Sequence, residues 1–146
     1  MTRNKKSGFT LVELMVVAVI VAILAAVAIP LMTGNRKRAM ATEAESGLGT
    51  MRTTLRAMYA QTSAYNKDLD GNAIAAGAAA TAIPGINAND LNGKYFNDAA
   101  YSITAIGATT YTLTADGDKS TAPSHADVAG IKITLDQDGK FTRTGL

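Results

Sequence analysis

Between Phe9 and Ile29 lie 21 residues, of which only Thr10 and Glu13 are polar. Nothing else in the chain constrains its fold as strongly. At ~1.5 Å per residue a helix of this length spans ~31 Å, close to the hydrocarbon thickness of a bilayer. Thirteen of the residues are Leu, Ile, Val or Phe. At roughly −0.4 kcal/mol each they favour insertion by about 5 kcal/mol, against a cost of about 3 kcal/mol for a carboxylate at the bilayer centre. Glu13 lies barely a turn inside the run, where its cost is lower. The run inserts in spite of its acid, and the acid is what needs a reason.

An ionisable residue inside a membrane helix either snorkels to the headgroups or has a partner. The partner is supplied if the chain is cut after Gly8. Phe9 then carries a free amine beside the apolar run. Within one helix that amine and Glu13 are poorly placed for a full ion pair. Between two parallel chains offset by about a turn, the amine of one meets Glu13 of the other, and each charge is neutralised in oil only by a neighbour.

Lys5-Lys6-Ser7-Gly8 followed by Phe9-Thr10-Leu11-Val12-Glu13 resembles the class III signal of type IV prepilins and of the related pseudopilins of type II secretion. Within that family the chain looks most like a cysteine-free type IVa-type major pilin. The resemblance implies that a prepilin peptidase cuts between Gly8 and Phe9 and that Phe9 is N-methylated. It also implies that Glu13 is the assembly glutamate and that an inner-membrane assembly platform builds identical subunits into a helical homopolymer. It places the leader in the cytoplasm, because Arg3, Lys5 and Lys6 roughly balance Arg36, Lys37 and Arg38 across the run and charge alone does not orient it.

The formal charge of +2 belongs to the uncut chain. Without Arg3, Lys5 and Lys6 there remain 11 basic and 12 acidic residues, a net of −1. From Leu31 to Thr62 the balance is +3, and from Ser63 onward it is −3. A mildly acidic outer part argues against nucleic acid as a partner. Arg36-Lys37-Arg38 lacks the aromatic interleaving of a nucleic-acid patch; it marks the membrane edge, or sets subunit register against Glu43 and Glu45 of neighbouring chains. With no cysteine the chain has no disulfide or thiol chemistry.

Pro30 and Gly34 punctuate the helix just past the apolar run. Proline removes a helix hydrogen bond and glycine loosens the rest, which predicts a kink or a locally melted turn. Continuation is expected, because Ala44, Leu48, Met51, Leu55, Met58 and Thr62 resume one apolar stripe at helical spacing. The expected organisation is a leader over 1–8, an apolar membrane or filament-core helix over 9–30, an amphipathic helix over 31–62, a helix-to-sheet loop over 63–100 and an antiparallel sheet over 101–146.

The loop has no sustained period and is expected to drape over the helix or to remain partly mobile. Asp68, Asp70 and Asn72 mimic the start of a calcium loop, but glycine falls at 71 and not at 73 and the twelfth position is Ala79, with no carboxylate, so an ordinary polar turn is expected. Beyond it, alternation puts Tyr101, Ile103 and Ala105, then Tyr111, Leu113 and Ala115, then Ile131, Ile133 and Leu135 on one face. Asp136-Gln137-Asp138-Gly139 is a hairpin turn into an edge strand over 140–144, with Phe141 inward. Residues 116–130 read as a polar excursion. The fold class is α+β: one long N-terminal helix whose amphipathic half covers a four-stranded meander.

No catalytic constellation, cofactor loop or metal set emerges. His125 lies in a polar loop, and the Asp pairs at 116/118 and 136/138 sit in turns. The expected function is a structural subunit of a pilus-like filament, held as a single-pass inner-membrane protein in contact with lipid before assembly and displayed on the cell surface after it. The first alternative is a type II secretion pseudopilin or minor pilin; the chain has no tryptophan and no Asp-Pro-Trp-Gly-like stretch of the major pseudopilin. The second is a membrane-anchored surface- or DNA-binding protein, which would need a basic or aromatic patch on the outer part.

Overall fold

A computed structural model describes residues 8–146; Arg3, Lys5 and Lys6, and with them most of the expected leader, lie outside the described residues. The chain is α+β: a helix α1 (Leu11–Thr62) followed by strands β1 (Tyr101–Ile106), β2 (Tyr111–Asp116), β3 (Lys132–Asp136) and β4 (Phe141–Thr144). The strands form one antiparallel sheet in the order β1-β2-β3-β4. The chain divides into two compact units, Met1–Arg36 and Lys37–Leu146.

In the first unit the side chains from Phe9 to Met32 are solvent-exposed, except for the half-buried Ala25, and almost all apolar. The helix passes unbroken through Pro30 and Gly34. Pro30 has no N–H to give the carbonyl of Ala26, and one turn on the Thr33 hydroxyl donates to the Ile29 carbonyl at 3.1 Å.

In the second unit the expected stripe is buried from Ala44 to Met58, and it starts one turn earlier than periodicity suggests, at Met40 and Ala41. Thr62 is half-buried at its end. The helix stops because Ser63 takes the left-handed conformation (φ 56°), with its N–H on the Tyr59 carbonyl at 2.8 Å, a closure usually made by glycine. The stripe packs on the inner face of the sheet, where Tyr101, Ile103, Tyr111, Leu113, Ala115, Ile131, Ile133 and Leu135 are all buried.

Ala105 departs from the expected alternation. Between Ile103 and Ala105 the β1–β2 register shifts; Thr104 is the extra residue, and its hydroxyl bonds that of Thr114 across the strands. The bulge turns Ala105 out and brings Ile106 against the core instead. β4 begins at Phe141, which packs half-buried on the core.

The loop over 63–100 is draped, and it is ordered by more than draping. Ile74, Ala80, Ile83, Ile86, Leu91, Phe96 and Ala100 all enter the core. It also covers the free edge of β1. Gly77 donates to the Ile103 carbonyl at 2.6 Å, Ile103 donates to Ala78 at 2.9 Å, and Ala79 bridges to Ser102. A covered edge cannot template pairing with another chain. Residues 116–130 are likewise less polar in effect than in composition: Ala122 and Val128 are buried. There the Ser120 hydroxyl donates to the Tyr95 carbonyl at 2.8 Å.

Candidate functional site: a capped carboxylate at the head of the apolar helix

Glu13 sits in the first turn of α1, and Thr10 directly precedes it. The two residues bond reciprocally. The Thr10 N–H donates to Glu13 Oε2 at 2.8 Å. The Glu13 N–H donates to Thr10 Oγ1 at 3.2 Å. The Thr10 hydroxyl adds a third bond, to the same Oε2, at 2.8 Å. This is a capping box, in which a threonine and a glutamate three residues on satisfy two of the N–H groups that every helix start leaves open. An anion at this end is also favoured by the helix dipole.

The signal for the cap, Thr10-x-x-Glu13, was in the sequence. The apolar run drew attention to the cost of the charge and away from its spacing, so Thr10 was missed. Two consequences follow from the geometry. A cut between Gly8 and Phe9 would leave the amide of Thr10 intact, and with it the cap. Both donated bonds fall on Oε2, and among the described residues Oε1 takes none. The carboxylate therefore has one oxygen without a hydrogen bond among the described residues.

The region around Glu13 is apolar and open. Val12, Met15, Val16, Val19 and Ile20 line a shallow concavity of about 430 Å³ on the helix surface. α1 is long and apolar enough to cross a membrane, and none of its most apolar stretch is buried within the chain. Gly8 and Phe9 are exposed ahead of the helix.

Of the charges suggested for subunit register, Lys37, Glu43 and Glu45 have partners in their own chain. The Glu43 carboxylate accepts the N–H groups of Lys94, Tyr95 and Phe96 at 3.2, 2.8 and 2.7 Å. Glu45 pairs with Arg143 on β4. Lys37 donates to the Gly145 carbonyl at 3.1 Å, and Arg38 is exposed. Any contact of Glu43 or Glu45 with a neighbour would compete with these bonds. The Asp68 carboxylate organises its turn through the N–H groups of Asp70 and Asn72 and the Asn72 amide. Hydrogen bonds from Asn72 and the neighbouring backbone hold its pKa below the ordinary aspartate value. His125 is exposed, with Nδ1 2.8 Å from the Ala122 carbonyl. Among the described residues no group of three or more His, Cys, Asp or Glu is placed to hold a metal.

Among solved structures, the non-core minor pilin PilV of Neisseria meningitidis is similar at 19% identity and a TM-score of 0.48, over 77% of this chain and 90% of that one. The family described as the prokaryotic N-terminal methylation motif matches residues 3–29. Residues 3–29 thus carry a prepilin-type N-terminal methylation motif, which is consistent with the type IV pilin family.

Proposed function

We propose that the chain is a structural subunit of a type IV pilus-like extracellular filament. The observation that carries this reading is the pairing of an apolar helix, unburied in its own chain, with a carboxylate near its head that has an oxygen to spare. Before assembly the helix rests in the inner membrane, in lipid. Prepilin peptidase cuts between Gly8 and Phe9, and the new amine is methylated. At the assembly platform the Phe9 amine of one subunit approaches Glu13 Oε1 of the next. Burial of the apolar helices against one another then replaces lipid contact with protein contact. The absence of a bonding partner in lipid makes the ion pair a condition of extraction, since a lone charge in hydrocarbon is costly. Pro30 and Gly34 are where the packed helix would yield, because the hydrogen-bond ladder is already short of one donor there.

The same motif serves minor pilins and secretion pseudopilins, and the test separates these roles from a major subunit. Glu13→Ala should leave the chain in the inner-membrane fraction and abolish fibres. Electron microscopy of sheared surface material should show long fibres built of this chain. Membrane insertion with fibre formation undiminished in Glu13→Ala would refute the assembly role of Glu13, and the absence of fibres from the unmodified chain would refute the major-subunit reading.

A further inference from the structure

Of the chain's asparagines, Asn92 is the one followed by glycine. That pair carries chemistry of its own. The backbone nitrogen after an asparagine can attack the side-chain Cγ, and glycine hinders the approach least, having no side chain and the freest backbone. Asn92, Gly93 and Lys94 are exposed, so water reaches them. The closed structure restrains both reacting groups. The Gly93 N–H donates to the Phe96 carbonyl at 2.7 Å. The Asn92 amide is held at both ends: Nδ2 donates to Asn89 Oδ1 at 2.8 Å, and Oδ1 accepts the Asp98 N–H at 3.1 Å. Gly93 lies so close to the Glu43 carboxylate that a Cβ there would collide with it. The same carboxylate accepts the N–H groups of Lys94, Tyr95 and Phe96. Turning Asn92 Cγ onto the Gly93 nitrogen means breaking these bonds.

We infer that Asn92 is a site of spontaneous deamidation, gated by the bonds that hold residues 89–98 to one another and to Glu43. When the segment opens, the Gly93 nitrogen bonds to Asn92 Cγ and the Cγ–Nδ2 bond breaks. Nδ2 leaves as ammonia, and the proton lost by the Gly93 nitrogen balances the one ammonia gains. Water then opens the succinimide ring at either carbonyl and gives aspartate or isoaspartate. Solvent water is the only co-reactant. Because the closed form is restrained, the rate follows the population of the open form. The products fit the closed segment worse than asparagine does. A carboxylate at position 92 has no N–H for Asn89 Oδ1 and sets a negative charge beside it. Isoaspartate adds a methylene to the backbone next to Gly93, where Glu43 leaves no room. Each conversion therefore loosens the loop from α1 in one direction only, whether or not the chain builds filaments.

Full-length chain in detergent, incubated at mildly alkaline pH and sampled over time, tests this by peptide mass spectrometry, which reads the amide-to-acid mass gain at each asparagine. Asn92 should convert before every other asparagine once the chain is unfolded in urea, and far more slowly in the folded chain. Glu43→Ala should raise the folded-chain rate on the order of a hundredfold, the loss of three acceptor bonds expressed as a population of the open form. Glu43→Gln should raise it less. Asn89→Gly is a milder opening of the gate: glycine suits the positive φ of 76° at that position, and only the acceptor for Asn92 Nδ2 is lost. It should raise the rate severalfold, roughly what one hydrogen bond is worth. In urea all four chains should react at one common rate. Another asparagine converting first in urea overturns the site. Equal rates at Asn92 in folded and unfolded chain overturn the gate, as does a folded Asn89→Gly chain that reacts no faster than the unmodified one. Differences that persist in urea would place the effect of the variants in the chemistry and not in the opening, which overturns the gate as well.

Discussion

The ring of Tyr101 rests on the helix at Gly47, and the two are so close that a methyl group at position 47 would come within 2.5 Å of the ring. Tyr101 opens β1 and is buried, so helix and sheet are in tight contact here. Glycine inside a helix costs about 1 kcal/mol relative to alanine. Gly47 is retained against that cost because the ring needs the space. Gly49 has nothing near it. The two positions should therefore respond with opposite sign. Gly47→Ala should lower stability by about 1–3 kcal/mol through overpacking, the steric cost outweighing the propensity gain. Gly49→Ala should raise it by up to about 1 kcal/mol. Urea unfolding of the full chain in detergent, followed by tyrosine fluorescence, checks both. A gain at position 47 would show that the ring moves aside freely.

Burial lifts the Tyr101 hydroxyl well above the ordinary tyrosine pKa, with the nearby carboxylates of Glu43 and Asp98 adding to the shift. Burial also raises Tyr111, against an opposing effect of Arg52. The folded state thus holds these protons more tightly than the unfolded one. The stabilisation from keeping both phenols neutral is complete below the unfolded tyrosine pKa of about 10 and is lost as pH rises from there towards the folded values. The urea midpoint should be flat through neutral pH and fall steeply on the alkaline side. Tyr101→Phe should reduce the slope of that fall. A slope unchanged in Tyr101→Phe would place the alkaline sensitivity elsewhere.

The Glu43 carboxylate joins the middle of α1 to the backbone of Lys94, Tyr95 and Phe96. Those three N–H groups have no strand to pair with. Removing their acceptor leaves donors unsatisfied beside the buried Phe96 ring, at about 1–3 kcal/mol for a group so stranded. Glu43→Ala should cost roughly 3 kcal/mol, and Glu43→Gln less, since the amide oxygen still accepts. Hydrogen exchange should show residues 93–97 losing protection first. Equal costs for the two variants would mean that the charge, not the acceptor, holds the segment.

Those anchors explain what the sequence made legible and what it did not. The stripe on α1 and the alternation in β2 and β3 are periodic, and periodicity reports which face is buried. It cannot report a bulge, and Thr104, an ordinary strand residue, gave no sign that it would be the extra one. The draped loop was opaque for a related reason. Ile74, Ile83, Ile86, Leu91 and Phe96 are spaced irregularly because they fill gaps over the helix one at a time, and no helix or strand fixes their intervals. Glu43 and Glu45 looked like free surface charges because their partners, Lys94 to Phe96 and Arg143, are some 50 and 98 residues away. At the head of the chain the opposite held. Gly8, Phe9 and Glu13 stood out because local composition makes them chemically conspicuous, while Thr10 did not, its contribution being only a hydroxyl and an amide.

Thr10 yields a sharper expectation than Glu13, because its bonds and the proposed ion pair use different oxygens. Thr10→Val keeps the shape and the backbone N–H bond to Oε2 but removes both bonds of the hydroxyl. Loss of an N-cap side chain costs about 1 kcal/mol of helix stability, small beside what membrane insertion provides. If Oε1 is the oxygen that meets the neighbouring Phe9 amine, fibres should still form from Thr10→Val, though more slowly, because the carboxylate is held less firmly before the amine arrives. Glu13→Gln is the complementary variant: it keeps an acceptor for the cap and removes the charge. It should insert as well as the unmodified chain and fail to assemble. Fibre length and yield by electron microscopy, measured with membrane-fraction abundance for both variants, decide the matter. Assembly lost in Thr10→Val and retained in Glu13→Gln would mean that Glu13 matters as a helix cap and not as a charge.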